Sequence, residues 1–176
     1  MTTFGDEASG RRLVLPPPAL AHFARFRQLR CWHREAGGQL FSRLAGPDIS
    51  IDRVTGPRRS DRRGRHSYVP DRIAEQREIQ DLYAEGLHFV GDWHTHPEPR
   101  PSPSMTDVAS IEDCVRRSGW TAYGFFLVIV GTEPAPNGLY VSFHNGTVSR
   151  RLHPEVQHQV PELAAPNSSV RSITPS

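Results

Sequence analysis

Two histidines stand two residues apart in Trp93-His94-Thr95-His96-Pro97, and that spacing decides the local backbone. On a helix the pair would point about 200° apart. On a strand both rings leave the same face, with Cα atoms roughly 6.5–7 Å apart. Imidazoles leaning inward from that separation reach a single zinc ion with Zn–N bonds of about 2.0–2.1 Å. Residues 87–95 are therefore read as a strand carrying the histidines at its end. Ser104 and Asp107 follow. A helix expected over residues 105–117 puts Asp107 in its first turn, where it offers a third ligand. Three protein ligands leave a tetrahedral zinc one open position, which marks a catalytic rather than a structural site.

The remaining patterns predict a single α/β domain. Residues 123–130 (YGFFLVIV) are an unbroken apolar run, as expected of a strand buried on both faces. Shorter strands are expected over residues 12–15, 139–143 and 147–152. Another begins within residues 35–44, around Gly37-Gly38, and is expected to pair with a strand over residues 48–55. Prolines 16–18 admit a helix over residues 18–30. Ile73, Ile79, Leu82 and Tyr83 fall at helical spacing within residues 70–85, and Gly86 stands where that helix would stop. Residues 1–11 are polar and glycine-containing and read as a flexible N-terminus. Residues 153–176 are rich in Pro, Ser, Asn and Gln and read as a disordered tail, leaving residues 12–152 as the domain.

With 176 residues, 36% of them hydrophobic, the chain can build one core. No apolar run approaches a membrane span or a signal-peptide core, so no membrane partner is expected. Cys31 and Cys114 form neither a disulfide framework nor a CxxC pair, which points to a reducing cytoplasm. A net charge of +2 gives no ground for a nucleic-acid partner, and no aromatic stacking surface accompanies the arginines. All 21 basic residues are arginine. Codon usage in a GC-rich genome accounts for that, and so does avoidance of lysine beside enzymes that join proteins to lysine amines. Arg58, Arg59, Arg62, Arg63 and Arg65 are read as an exposed loop, either simply solvated or a docking surface for a carboxylate-bearing partner.

A zinc ion lowers the pKa of water to near 7, and hydrolysis then needs a proton acceptor and a group to stabilise the oxyanion. Ser104 suits the second task. The pair Ser104-x-x-Asp107 is equally a helix-capping pattern, and the two readings overlap. For the base, the carboxylates considered are Glu35, Glu98 and the helix acids Glu75, Glu78 and Glu85. The helix acids read as solvated or as intrahelical ion-pair partners. Glu98 lies between two prolines. Glu35 precedes Ala36-Gly37-Gly38, where missing side chains would let another strand and a substrate backbone come near, and that context favours it. The other seven histidines form no comparable pair.

Taken together, Glu35 in EAGGQLF, His94-x-His96-Pro97 and Ser104-x-x-Asp107 resemble the JAMM metalloproteases of the JAB/MPN class, over roughly residues 13–152. The resemblance implies a JAB/MPN-like curved mixed β-sheet flanked by helices. It also implies zinc on His94, His96 and Asp107, with Glu35 as proton shuttle and Ser104 as oxyanion stabiliser. Its members hydrolyse isopeptide or peptide bonds after the C-terminal tail of ubiquitin-like proteins. More narrowly, WHTHPEPRPSPS and the helix QREIQDLYAEG are similar to small bacterial JAB proteins of anti-phage CBASS systems. These imply a deconjugating peptidase that frees a nucleotidyltransferase (CD-NTase), attached by its C-terminus, from its target. Two rival readings are a processing peptidase for a ubiquitin-like or sulfur-carrier precursor, and a non-catalytic MPN scaffold. Such scaffolds usually lack the histidine pair that this chain keeps.

Overall fold

The apolar run ending at Val130 is buried along its length, and its two faces define the layers of the molecule. A computed structural model describes residues 1–6, 10–118 and 124–155. In chain order the elements are β1 (Thr2–Asp6), β2 (Arg11–Leu15), α1 (Pro17–Phe26), β3 (Gly37–Ser42), β4 (Ile49–Ser50), β5 (Arg53–Val54), β6 (Arg62–Arg63) and β7 (Tyr68–Val69). They continue with α2 (Arg72–Ala84), β8 (His88–Thr95), α3 (Met105–Ser118), β9 (Phe125–Val130), β10 (Leu139–His144) and β11 (Ser149–Pro154). Nine strands form one mixed sheet in the order β4-β2-β1-β11-β10-β9-β8-β3-β5, and β6 and β7 make a separate hairpin.

Period-two alternation on β9 sends Phe126, Val128 and Val130 into the main core with Leu13, Leu15, Leu40, Trp93 and Val141. Phe125, Leu127 and Ile129 go to the other face, against Ile111 and Val115 of α3. The helix α1 packs Ala19 and Phe23 into the main core, while α2 covers Phe41 and Leu87 with Leu82. The sheet is strongly curled. Its outermost strands, β4 and β5, are joined by only residues 51–52; the Ile51 N–H donates to Val14 of β2 and the Asp52 N–H to Phe41 of β3. The strand expected over residues 48–55 is thus two short strands on opposite ends of the sheet, because the chain changes partner where those ends meet.

Residues 1–11, expected to be flexible, contain β1. It is paired on both sides, to β2 and β11, and buries Phe4. A single aromatic among polar residues is a weak signal, yet enclosure between two strands is what orders it. The helix α1 ends at Phe26, four residues before the expected stop. Arg27 leaves helical geometry, and the buried Gln28 side chain donates to the Arg65 carbonyl at 2.8 Å. The domain extends through β11 to Pro154; residues 156–176, expected to be a tail, lie outside the described residues. Among the described residues no helix is long and apolar enough to cross a membrane.

Candidate active site

The side chains of β8 that matter do not follow from simple alternation. Phe41 of β3 pairs with Phe89 and Leu40 with Gly91, so Val90 is an extra residue, a β-bulge. Without it, His94 would share the face of Val90, which lies in the main core. The bulge moves Trp93 onto the core face instead and turns Asp92 and His94 toward the side covered by α2 and α3. Trp93 anchors the turn: its indole N–H donates to the Thr55 carbonyl at 2.8 Å, and its ring packs on Phe23 and Phe26.

His94 and His96 bring their Nε2 atoms to 3.1 Å, and Asp107 places Oδ1 at 3.2 Å from the first and Oδ2 at 3.4 Å from the second. In a tetrahedral site with bonds of about 2.0–2.1 Å, neighbouring donor atoms stand roughly 3.3–3.4 Å apart. Two neutral imidazole nitrogens and a carboxylate oxygen at such separations fit a divalent cation, and the three are the group among the described residues able to hold one. Without a cation, burial raises Asp107, but hydrogen bonds with His94 and His96 prevail and hold its carboxyl well below the usual range. Burial lowers His96, but hydrogen bonding and the charge of Asp107 outweigh it and raise the imidazole. Each ligand is held by its element. The His96 N–H donates to Val130 of β9 at 2.9 Å, and Asp107 sits in the first turn of α3.

Ser104 caps α3. Its N–H donates to Asp107 Oδ2 at 2.7 Å, and its Oγ accepts from the Asp107 N–H at 3.2 Å. This is the reciprocal capping box. The hydroxyl also bonds the Asp107 carboxylate, and Ser104 lines the cavity with the three ligands.

Glu35 lines that same cavity and is only 7% exposed. Burial pushes its carboxyl up to about 7; His96 lowers it, while Asp107 and Glu98 raise it. Its position follows from β3–β8 pairing, in which Gly37 faces His94, and from the next step, where the Thr95 N–H donates to Ala36 at 2.8 Å. The glycines are required, but not for substrate: a Cβ on Gly37 would lie 2.4 Å from the Tyr68 ring and one on Gly38 2.0 Å from the Thr55 carbonyl oxygen. The chain's own segments fill that space.

Three arginines of the loop are tied to the chain itself, while Arg59 and Arg62 are exposed. Arg63 Nε donates to the Glu35 carbonyl at 2.5 Å, and the Glu35 N–H donates to Gly64 at 2.7 Å. Arg65 reaches the carbonyl of Cys31, and Arg58 bonds Glu78 and donates to Gln39 Oε1 at 2.8 Å. Glu75, read as solvated or as an intrahelical ion-pair partner, is the second: it pairs with Arg72 three residues earlier at 2.9 Å, and it is only 5% exposed, with Arg58 3.6 Å away. Glu98 stands on the far side of His96, with Oε2 3.7 Å from Nδ1. It therefore faces away from the nitrogens that converge on Asp107, which favours Glu35 as the base. Sequence reasoning passed over Asp92, which shares the strand face of His94 and lines the cavity; burial pushes its carboxyl up to about 7. The D-x-H-x-H alternation was its signal.

The profile of prokaryotic homologs of the JAB domain matches residues 17–144. The chain belongs to that family. A Vibrio cholerae protein described as a CD-NTase/cGAS isopeptidase is 30% identical over 133 residues, covering 74% of this chain and 82% of that protein. An Escherichia coli protein of the same description is 33% identical over 88 residues; that match covers 48% of this chain and 56% of the relative. Among solved structures, the solution structure of a Desulfitobacterium hafniense protein shares the fold, with a TM-score of 0.56 at 20% identity over 79% of this chain and 88% of that one.

Proposed function

We propose that this protein is a zinc-dependent isopeptidase that releases a protein conjugated through its C-terminus from a target amine. Its substrate would be a conjugated CD-NTase in an antiviral CBASS system. The reading rests chiefly on the three converging donor atoms of His94, His96 and Asp107 in one cavity with Glu35 and Ser104. The names carried by the Vibrio cholerae and Escherichia coli relatives support the substrate assignment.

His94, His96 and Asp107 would hold the zinc. When bound, the ion supplies Lewis acidity that activates water and polarises the scissile carbonyl. Glu35 takes the proton from the attacking water and returns it to the departing amine, for which a carboxyl with a pKa near neutrality is suited. The Ser104 hydroxyl donates to the oxygen of the tetrahedral intermediate. Arg63 and Thr95 hold the backbone around Glu35, so the carboxylate meets the water from a fixed direction. The cavity is bordered by residues 66–70 and Arg72 on one side and by the start of α3 on the other, leaving a cleft for an extended tail.

The test is digestion of a CD-NTase joined by its C-terminus to a lysine, and of the matching linear fusion, with and without chelator. Both are expected to be cut, and zinc is expected to restore the chelated enzyme. Absence of cleavage with zinc present, or cleavage that chelation leaves unchanged, would overturn the proposal.

A further inference from the structure

A second cavity of about 490 Å³ adjoins the metal-binding one, between α2 and α3. Arg72, Glu75, Asp92 and Ser110 line both cavities, so they form one continuous cleft. Asp92 stands on its floor where the two meet. Its Oδ1 is buried and accepts no hydrogen bond. The neighbouring cations bond other groups: Arg72 holds Glu75 at 2.9 Å, Arg58 bonds Glu78 and stands 3.6 Å from Glu75, and Arg117 holds Asp113 at 3.2 Å; Arg72 and Arg58 act on Asp92 through their charge alone. Among the described residues, Asp92 and Glu35 are the carboxylates of this cleft that make no ion pair, and of the two Asp92 is the one with a buried oxygen that accepts no hydrogen bond. A buried, unpaired carboxylate is costly and calls for a partner.

We infer that Asp92 is the floor of a specificity subsite that takes a cationic side chain, arginine or lysine, from the extended tail of the substrate. The inference rests on the peptidase reading above. Asp92 lies on the face of β8 that carries His94, one step of about 6.5–7 Å from it, which an extended peptide spans with two residues. The cationic residue is therefore the second or third from the cleaved bond. It belongs to the tail and not to the acceptor. Around Asp92 the cleft runs between α2 and α3, an arrangement that suits an extended tail better than a folded acceptor.

The test uses internally quenched peptides of Gly, Ala and Ser in which each of five positions upstream of the cleaved bond is in turn Arg, Glu or Ala. Binding of the same peptides, fluorescently labelled, is read by anisotropy on chelated protein, where nothing is hydrolysed. One charge-assisted pair is worth roughly 10- to 100-fold in affinity. Arg at the second or third position is expected to bind that much more tightly than Ala, with Glu weaker than Ala. Asp92→Asn should flatten the preference, and Asp92→Arg should shift it toward Glu, both with unchanged zinc content. A wild type without cationic preference, or an Asp92→Asn protein that keeps it, would overturn the subsite. Cleavage without preference sinks the subsite alone; binding preference without any cleavage when zinc is restored sinks the peptidase reading alone.

Discussion

Ser104→Ala separates two roles that one hydroxyl performs. In the structure its Oγ accepts the Asp107 N–H at 3.2 Å, so the substitution removes an N-cap interaction. That loss is worth about 1 kcal/mol and lowers Tm by roughly 2–4 °C in a domain of this size. A protein with even about 5 kcal/mol of stability stays almost wholly folded after losing 1 kcal/mol, so capping alone predicts unchanged activity. Loss of an oxyanion donor predicts a fall in kcat of about 10²–10³. Asp71→Ala provides the control. Asp71 caps α2 by accepting from the N–H groups of Ile73 and Ala74, both at 3.1 Å, and touches none of the chemistry. Both variants are followed by thermal melting, zinc content and cleavage of one conjugate. Similar losses in Tm, with the rate lost only in Ser104→Ala and restored in Ser104→Thr, are expected. A Ser104→Ala enzyme within threefold of wild type would refute the oxyanion role and leave Ser104 a cap.

Glu35→Gln should keep its zinc and lose cleavage, since an amide of nearly the same shape takes no proton; a wild-type rate would remove Glu35 as the base. Asp92 has a folded pKa near 7 against an ordinary 3.8, so the native state holds that proton more tightly than the unfolded chain. Its contribution to stability therefore falls as pH rises from about 4 to 7. Metal-free Asp92→Asn should accordingly melt above wild type at pH 8 and level with it near pH 4, and an equal gap at both would contradict the burial argument. Arg58→Ala strands Glu75, which has 6% side-chain exposure, and should destabilise the domain by about 3 kcal/mol or more in denaturant titration. A loss below 1 kcal/mol would mean that the loop is as loose as its composition suggested.

The histidine strand, the doubly buried β9 and the capping pair of α3 were legible because each is a local pattern with a single geometric solution. What stayed hidden depends on partners far along the chain. Arg58, Arg63 and Arg65 look like a solvated run until α2, Glu35 and Cys31 fold against them. The strand β1 is polar but for Phe4, and only its two neighbours order it. The bulge at Val90 is invisible in the apolar pattern, yet it turns Asp92 and His94 out of the core. Gly37 and Gly38 were correctly read as sites of close approach, but the approaching atoms belong to Tyr68 and Thr55.

The central claim is that His94, His96 and Asp107 hold a single catalytic zinc. It is tested most directly by zinc content per chain in wild type, His96→Ala and Asp107→Ala, purified alike and checked for folding by circular dichroism. Wild type should carry one zinc per chain and each variant markedly less, with a lower Tm for the loss of bound metal. Equal zinc content in folded wild type and variants would contradict the assignment.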